Sequence, residues 1–264
     1  MRSIPAVLVR SVGAALAVAL LSLSVVPAPA HADEALVVVA TNFKEVAGEL
    51  KTMFEAETEH TVNITTGSTG KLYAQIKNGA PFHVFMAADR ERPKRLEDEG
   101  DGVPGTRLTY AIGRIVLWSP DAGRISGNGV EALKAGDFDH LAIANPELAP
   151  YGLAAKQTLR YYGLWDTVSA RIVMGQNIGQ AHSMVATGNA QMGFVAKSHV
   201  ASPGNRQPGS SWDVPGEAYD PIRQDAVLLK AGAENAAARA FLDFLRSPWA
   251  REVIGRFGYG VEQP

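Results

Sequence analysis

The sequence predicts an α/β protein, a mainly parallel sheet covered by helices, and two observations carry that expectation. Apolar runs of four to six residues alternate along the chain with segments of helical period. The 264 residues are 46% apolar and include no cysteine, so a large core rather than a disulfide framework must hold the fold. In βα units such a chain makes one doubly wound domain or two lobes sharing a cleft, and the residues leave both open.

Strands are expected where short apolar runs occur: Leu36–Ala40, Val62–Thr65, Val84–Ala87, Ile115–Trp118, Leu141–Ala144, Arg171–Met174, Met192–Val195 and Ala226–Leu229. Between them lie helical stripes. Phe43, Val46, Leu50, Met53 and Phe54 share one face, while Lys44, Glu45, Glu49 and Lys51 take the other. Ala237, Phe241, Phe244 and Leu245 repeat that logic. Ser247-Pro248 reads as an N-cap with Pro at N1, opening a last helix that Gly258 stops. The polar, Gly/Pro-rich stretch from Ser202 to Pro221 reads as a surface loop.

The first 32 residues have the composition of a cleaved signal peptide. Arg2 and Arg10 precede an apolar run from Val12 to Val26, and Ala30-His31-Ala32 supplies the small-x-small cleavage pattern. That run falls short of the roughly 18 residues needed to span a bilayer. Without Arg2 and Arg10 the chain keeps 23 basic and 27 acidic residues, a net charge of −4. Such a balance offers nothing to neutralise a phosphate backbone and excludes nucleic acid as a partner.

Four strand-to-helix junctions share one chemistry. They are Thr41-Asn42, Thr66-Gly67-Ser68-Thr69-Gly70, the segment Asn145 to Gly152 with Pro150-Tyr151-Gly152, and Gly175-Gln176-Asn177-Ile178-Gly179. Hydroxyls, amides and glycines fill them, and Glu147, read as a surface residue, is the nearest acid. In parallel α/β sheets these junctions lie where the ligand crevice forms, and each presents free N–H groups at the positive end of a helix dipole. Such a site suits an anion held by neutral donors. The plainer alternative is that these residues only cap helices.

Other motifs fail on inspection. Gly67-Ser68-Thr69-Gly70-Lys71 lacks the Walker pattern's first glycine at Thr65 and its hydroxyl at Leu72. A secreted serine hydrolase built on Ser68 would need a histidine near the chain end, and the last, His199, precedes the final helices. No histidine has metal-ligand spacing, and His83 and His182 read as structural. The charge run around Asp89, Glu91, Arg92 and Lys94 reads as a solvated helix surface.

The junctions, with Tyr73-Ala74-Gln75-Ile76, Asn78-Gly79-Ala80-Pro81, Ala87-Ala88-Asp89 and Thr109-Tyr110-Ala111-Ile112-Gly113, resemble the periplasmic molybdate-binding proteins of ABC importers over essentially all of residues 33–264. That resemblance implies a class II periplasmic-binding-protein fold, two βα lobes with a ligand cleft between them. It puts lobe I at 33–112 plus 222–264 and lobe II at 113–221, with crossovers near Tyr110–Gly113 and Pro221–Ala226. It also implies a monomeric, periplasmic, non-enzymatic receptor that delivers molybdate or tungstate to a membrane permease. The metal is carried as an oxyanion, without cofactor or direct protein–metal bonds.

Position by position, the resemblance makes Thr41 and Asn42 donors through hydroxyl and backbone N–H. Thr69 stands for the family's ligand serine, with Ser68 beside it. Tyr151 stands for the tyrosine donor of one branch, and Ile178 for a backbone N–H donor. Two departures are visible: Thr replaces Ser at 69, and Phe194-Val195-Ala196-Lys197 lacks the tyrosine that another branch uses there. The charge-free junctions disfavour phosphate, which keeps a proton and needs an acceptor. Sulfate or another small oxyanion is the alternative ligand for the same fold.

Overall fold

The computed structural model describes residues 32–262, and the expected signal peptide and its cleavage site lie outside them apart from Ala32. In chain order the first elements are β1 (Glu34–Ala40), α1 (Lys44–Glu57), β2 (Thr61–Gly67), α2 (Thr69–Lys77), β3 (Val84–Met86), α3 (Glu91–Asp98) and β4 (Leu108–Gly113). Next come β5 (Ile115–Ser119), α4 (Gly129–Ala135), β6 (Leu141–Ala144), α5 (Pro150–Tyr161), α6 (Trp165–Val168), β7 (Ile172–Gly175), α7 (Ile178–Ala186), β8 (Met192–Ala196), α8 (Lys197–Ala201) and β9 (Ser210–Asp213). The last are β10 (Ile222–Leu228), α9 (Ala236–Phe244) and α10 (Pro248–Arg256).

These strands form two five-stranded sheets, ordered β2-β1-β3-β10-β4 and β7-β6-β8-β5-β9. The chain thus passes between sheets at Gly113–Ile115 and again between Asp213 and Ile222. The first sheet is covered on both faces, and its strands show why they read as unbroken apolar runs. Val37, Val39, Val84, Met86, Ala226 and Leu228 point into one core, under α1, α9 and α10. Val38, Phe85 and Val227 alternate into the other, with Leu72 and Leu96 of α2 and α3. The second sheet packs around Trp118, Ile143, Leu159 and Phe194.

The expectation of a mainly parallel sheet is corrected: both sheets are mixed. β1 pairs in parallel with β2 and β3, and β6 with β7 and β8, whereas β10 and β5 run antiparallel to their neighbours. Two strands went unseen in the sequence. β4 lies within the segment read as a crossover, and β9 within the Ser202–Pro221 stretch read as loop. β9 is a four-residue edge strand, Ser210-Ser211-Trp212-Asp213, with one apolar side chain and hence no period to detect. The last helix starts as read: Ser247 accepts from the Ala250 N–H, and Gly258 has φ 83° after the last turn.

Candidate functional site

The four junctions meet. β1 runs into a single 3-10 turn, Thr41–Phe43, and β2 into Ser68 as N-cap and Thr69 as first residue of α2. From the second sheet, Ala149 and Pro150 start α5 just before Tyr151, and Asn177 caps α7 with Ile178 at its first position. All six expected ligand residues, Thr41, Asn42, Ser68, Thr69, Tyr151 and Ile178, line one small cavity of about 10 Å³. No lining residue carries a formal charge.

Contacts between the two sheets' elements flank the cavity. The Gly70 N–H donates to the Leu148 carbonyl at 2.9 Å. Ser198, in α8, donates to the Asn42 carbonyl at 3.0 Å. Gly179 faces the Thr41 methyl, and any side chain there would overlap it.

Individual groups differ in what they have left to give. Thr69 Oγ1 accepts the Ala88 N–H at 3.1 Å, which leaves its own hydrogen free to donate. Ser68 Oγ is buried and has no hydrogen-bond partner. An unpartnered buried hydroxyl is costly, and a group placed in the cavity to accept from it would remove that cost. Among the described residues that line the cavity with Ser68 there is no histidine, carboxylate or lysine, so the base that a nucleophilic serine needs is not beside it. Thr41 Oγ1 donates to the Gly67 carbonyl at 2.9 Å, so its hydroxyl would have to rotate before it could donate into the cavity.

Asn42 divides its roles. Its side-chain Nδ2 is spent on Gln224 Oε1 at 2.7 Å, on the Tyr259 hydroxyl at 3.0 Å and on that of Tyr151 at 3.4 Å. Its carbonyl accepts the Tyr259 hydroxyl at 2.7 Å. What it can offer the cavity is its backbone N–H, at the start of a helical turn. Gln224, Tyr259, Tyr110 and Ser198 complete a buried polar network behind the cavity that the sequence reading missed. Its faint signal was Gln224-Asp225, two polar residues next to an apolar run and both fully buried. Burial lifts the Tyr151 and Tyr110 phenols well above their usual range and Tyr259 to about 12, so all three keep their protons.

Beside the cavity an open groove is lined by Lys44, Glu45, His182 and His199. His182 stacks on Trp118 at 5.0 Å between ring centroids and contacts His199 at 4.6 Å, a packing role as expected. His83 likewise ties strands together, its Nδ1 accepting the Leu36 N–H at 3.1 Å. The charge run needs one correction. Asp89 is largely withdrawn from water, which raises its pKa, and it accepts hydrogen bonds from the backbone and guanidinium of Arg92.

The chain is 49% identical over 233 residues to the molybdate-binding protein ModA of Azotobacter vinelandii, covering 88% of this chain and 92% of that one. It is 48% identical over 234 residues to ModA of Rhodobacter capsulatus, covering 89% and 91%. The solved Azotobacter vinelandii periplasmic molybdate-binding protein superposes with a TM-score of 0.83 at 43% identity, covering 87% of this chain and all of that one. Residues 35–260 match the profile described as bacterial extracellular solute-binding protein, and the chain belongs to that family.

Proposed function

We propose that this chain is a periplasmic receptor that captures molybdate, and tungstate with it, between two lobes and delivers it to the membrane permease of an ABC importer. The observation that carries the reading is the small uncharged cavity at which four helix starts converge. Thr41, Ser68, Thr69 and Tyr151 donate through hydroxyls, and Asn42 and Ile178 through backbone N–H. Each such bond to a charged group contributes about 1.5–3 kcal/mol, so six together offset the desolvation of a small dianion. The names of the 48–49% identical relatives support molybdate as the ion.

The lobes are residues 33–112 plus 222–264 and residues 113–221. The receptor works as a monomer after cleavage behind Ala32. Closure of the lobes over the anion gives a shape that the permease distinguishes from the empty form.

Thermal unfolding with molybdate, tungstate, sulfate, phosphate and chromate tests the reading. Ligand at 1,000 times Kd adds about 4 kcal/mol, a shift of several degrees. Molybdate and tungstate are expected to give it. An equal shift with sulfate rejects the selectivity, and no shift with molybdate rejects the function.

A further inference from the structure

Tyr151 helps an anion only if its hydroxyl hydrogen faces the cavity, and the structure contains a device that aims it. The phenolic oxygen receives Gln224 Nε2 at 3.2 Å, whereas Asn42 Nδ2, 3.4 Å away, has its two hydrogens engaged more closely by Gln224 Oε1 and Tyr259. With one lone pair held by the Gln224 N–H, its own hydrogen can turn to the ligand side or to the Tyr259 oxygen. The competing acceptor is the Tyr259 phenol. That oxygen takes Asn42 Nδ2 at 3.0 Å and keeps one lone pair, so a ligand oxygen must outcompete it for the Tyr151 hydrogen.

Gln224 can act this way because its own orientation is fixed. Its Oε1 accepts Asn42 Nδ2 at 2.7 Å and the Tyr110 hydroxyl at 3.2 Å, so Nε2 is the end that faces Tyr151. Its position follows from a register shift in β10: Gln224 pairs with Ala111, but Asp225 pairs with Thr109, skipping Tyr110. Such a bulge re-aims side chains. Gln224 and Asp225 are both completely buried as a result. Gly113, where the chain leaves the first sheet, makes room for the pair, since a Cβ there would overlap the Tyr151 hydroxyl and crowd Gln224 Nε2.

We infer that Gln224 is a positioning residue that biases Tyr151 toward donating and thereby favours fully deprotonated oxyanions over hydrogen phosphate. The inference rests on the molybdate-receptor reading and deepens it: an acceptor at this point would welcome a protonated oxygen, and Gln224, by occupying a Tyr151 lone pair, disfavours that option.

A double-mutant cycle on the full-length chain tests it, with Gln224→Met, Tyr151→Phe and their combination titrated calorimetrically with molybdate and, in competition, phosphate at pH 7.5. Each single substitution is expected to weaken molybdate about tenfold or more, as loss of one charged hydrogen bond does. The double variant should bind no worse than Tyr151→Phe alone, and Gln224→Met should narrow the molybdate-to-phosphate ratio. Should Gln224→Met fail to fold, Gln224→Glu takes its place. It keeps an oxygen for Asn42 and Tyr110 but accepts from Tyr151, and its loss of affinity should shrink in the Tyr151→Phe background.

Fully additive losses, or unchanged affinity in Tyr151→Phe, overturn the inference while leaving the receptor reading intact. Absence of molybdate binding by the unsubstituted chain overturns the reading first, and this inference with it.

Discussion

The backbone N–H of Gly70 donates to the carbonyl of Leu148 at 2.9 Å, joining the first turn of α2 on one sheet to the loop before α5 on the other. A Cβ on Gly70 would lie 3.2 Å from that carbonyl oxygen and 3.3 Å from the Leu148 Cα, both backbone atoms that cannot swing aside. Gly70→Ala is therefore expected to hinder closure and weaken molybdate binding by about 1–2 kcal/mol, the scale of mild overpacking. Unfolding without ligand should change little. Calorimetric titration beside ligand-free thermal unfolding checks both halves.

Thr69 is a donor whose oxygen is already oriented by the Ala88 N–H. Thr69→Ala should cost about 1.5–3 kcal/mol of molybdate affinity, and Thr69→Ser much less, because only the former removes the hydroxyl. Equal losses in the two variants, measured by titration, would assign the effect to the methyl group's packing.

His199 gives the fold an acid limit. The residue is half-buried, but its Nδ1 is shut from solvent and unpartnered. Burial, and secondarily the adjacent His182, lower its pKa to about 3. Unfolded, it titrates near 6.5. The folded state therefore binds fewer protons between those values. Its contribution is complete above about pH 6.5 and is lost as pH falls toward 3, with a slope of at most about 1.4 kcal/mol per pH unit. Urea unfolding from pH 7 to 4 should show a shallower loss for His199→Phe, which keeps the ring and drops the proton site. Parallel curves would rule the residue out.

Asp225 anchors the same bulge from the other side. Completely buried, it accepts Arg107 Nη1 at 2.5 Å and the Thr109 hydroxyl at 2.7 Å. Asp225→Ala should destabilise by about 2–3 kcal/mol, less than a fully buried pair because Arg107 keeps partial exposure and a second partner in Glu97. Urea denaturation reads this directly, and a change under about 0.5 kcal/mol would mean that the pair contributes nothing.

What the sequence revealed and what it hid have separable physical causes. Strands such as Leu141–Ala144, buried on both faces, announce themselves by continuous apolarity, and Ser247-Pro248 by local capping chemistry. Strand direction left no such mark, because pairing sense depends on partners far away in the chain. Hence the antiparallel β5 and β10 were not foreseen. Thr41, Ser68, Thr69, Tyr151 and Ile178 stood out as uncharged residues at helix starts. Gln224 and Tyr259 did not, since their importance comes from convergence of segments 182 and 217 residues from Asn42.

β10 is the last of the ten strands among the described residues yet sits between β3 and β4 in its sheet. A polypeptide emerging N-terminus first thus carries β4 with no ladder to β1–β3 until residue 228 has been made. The other sheet needs nothing beyond Asp213. The half of the molecule synthesised earliest is therefore the half completed latest, and a nascent chain stopped short of Ile222 holds one finished sheet and one open one.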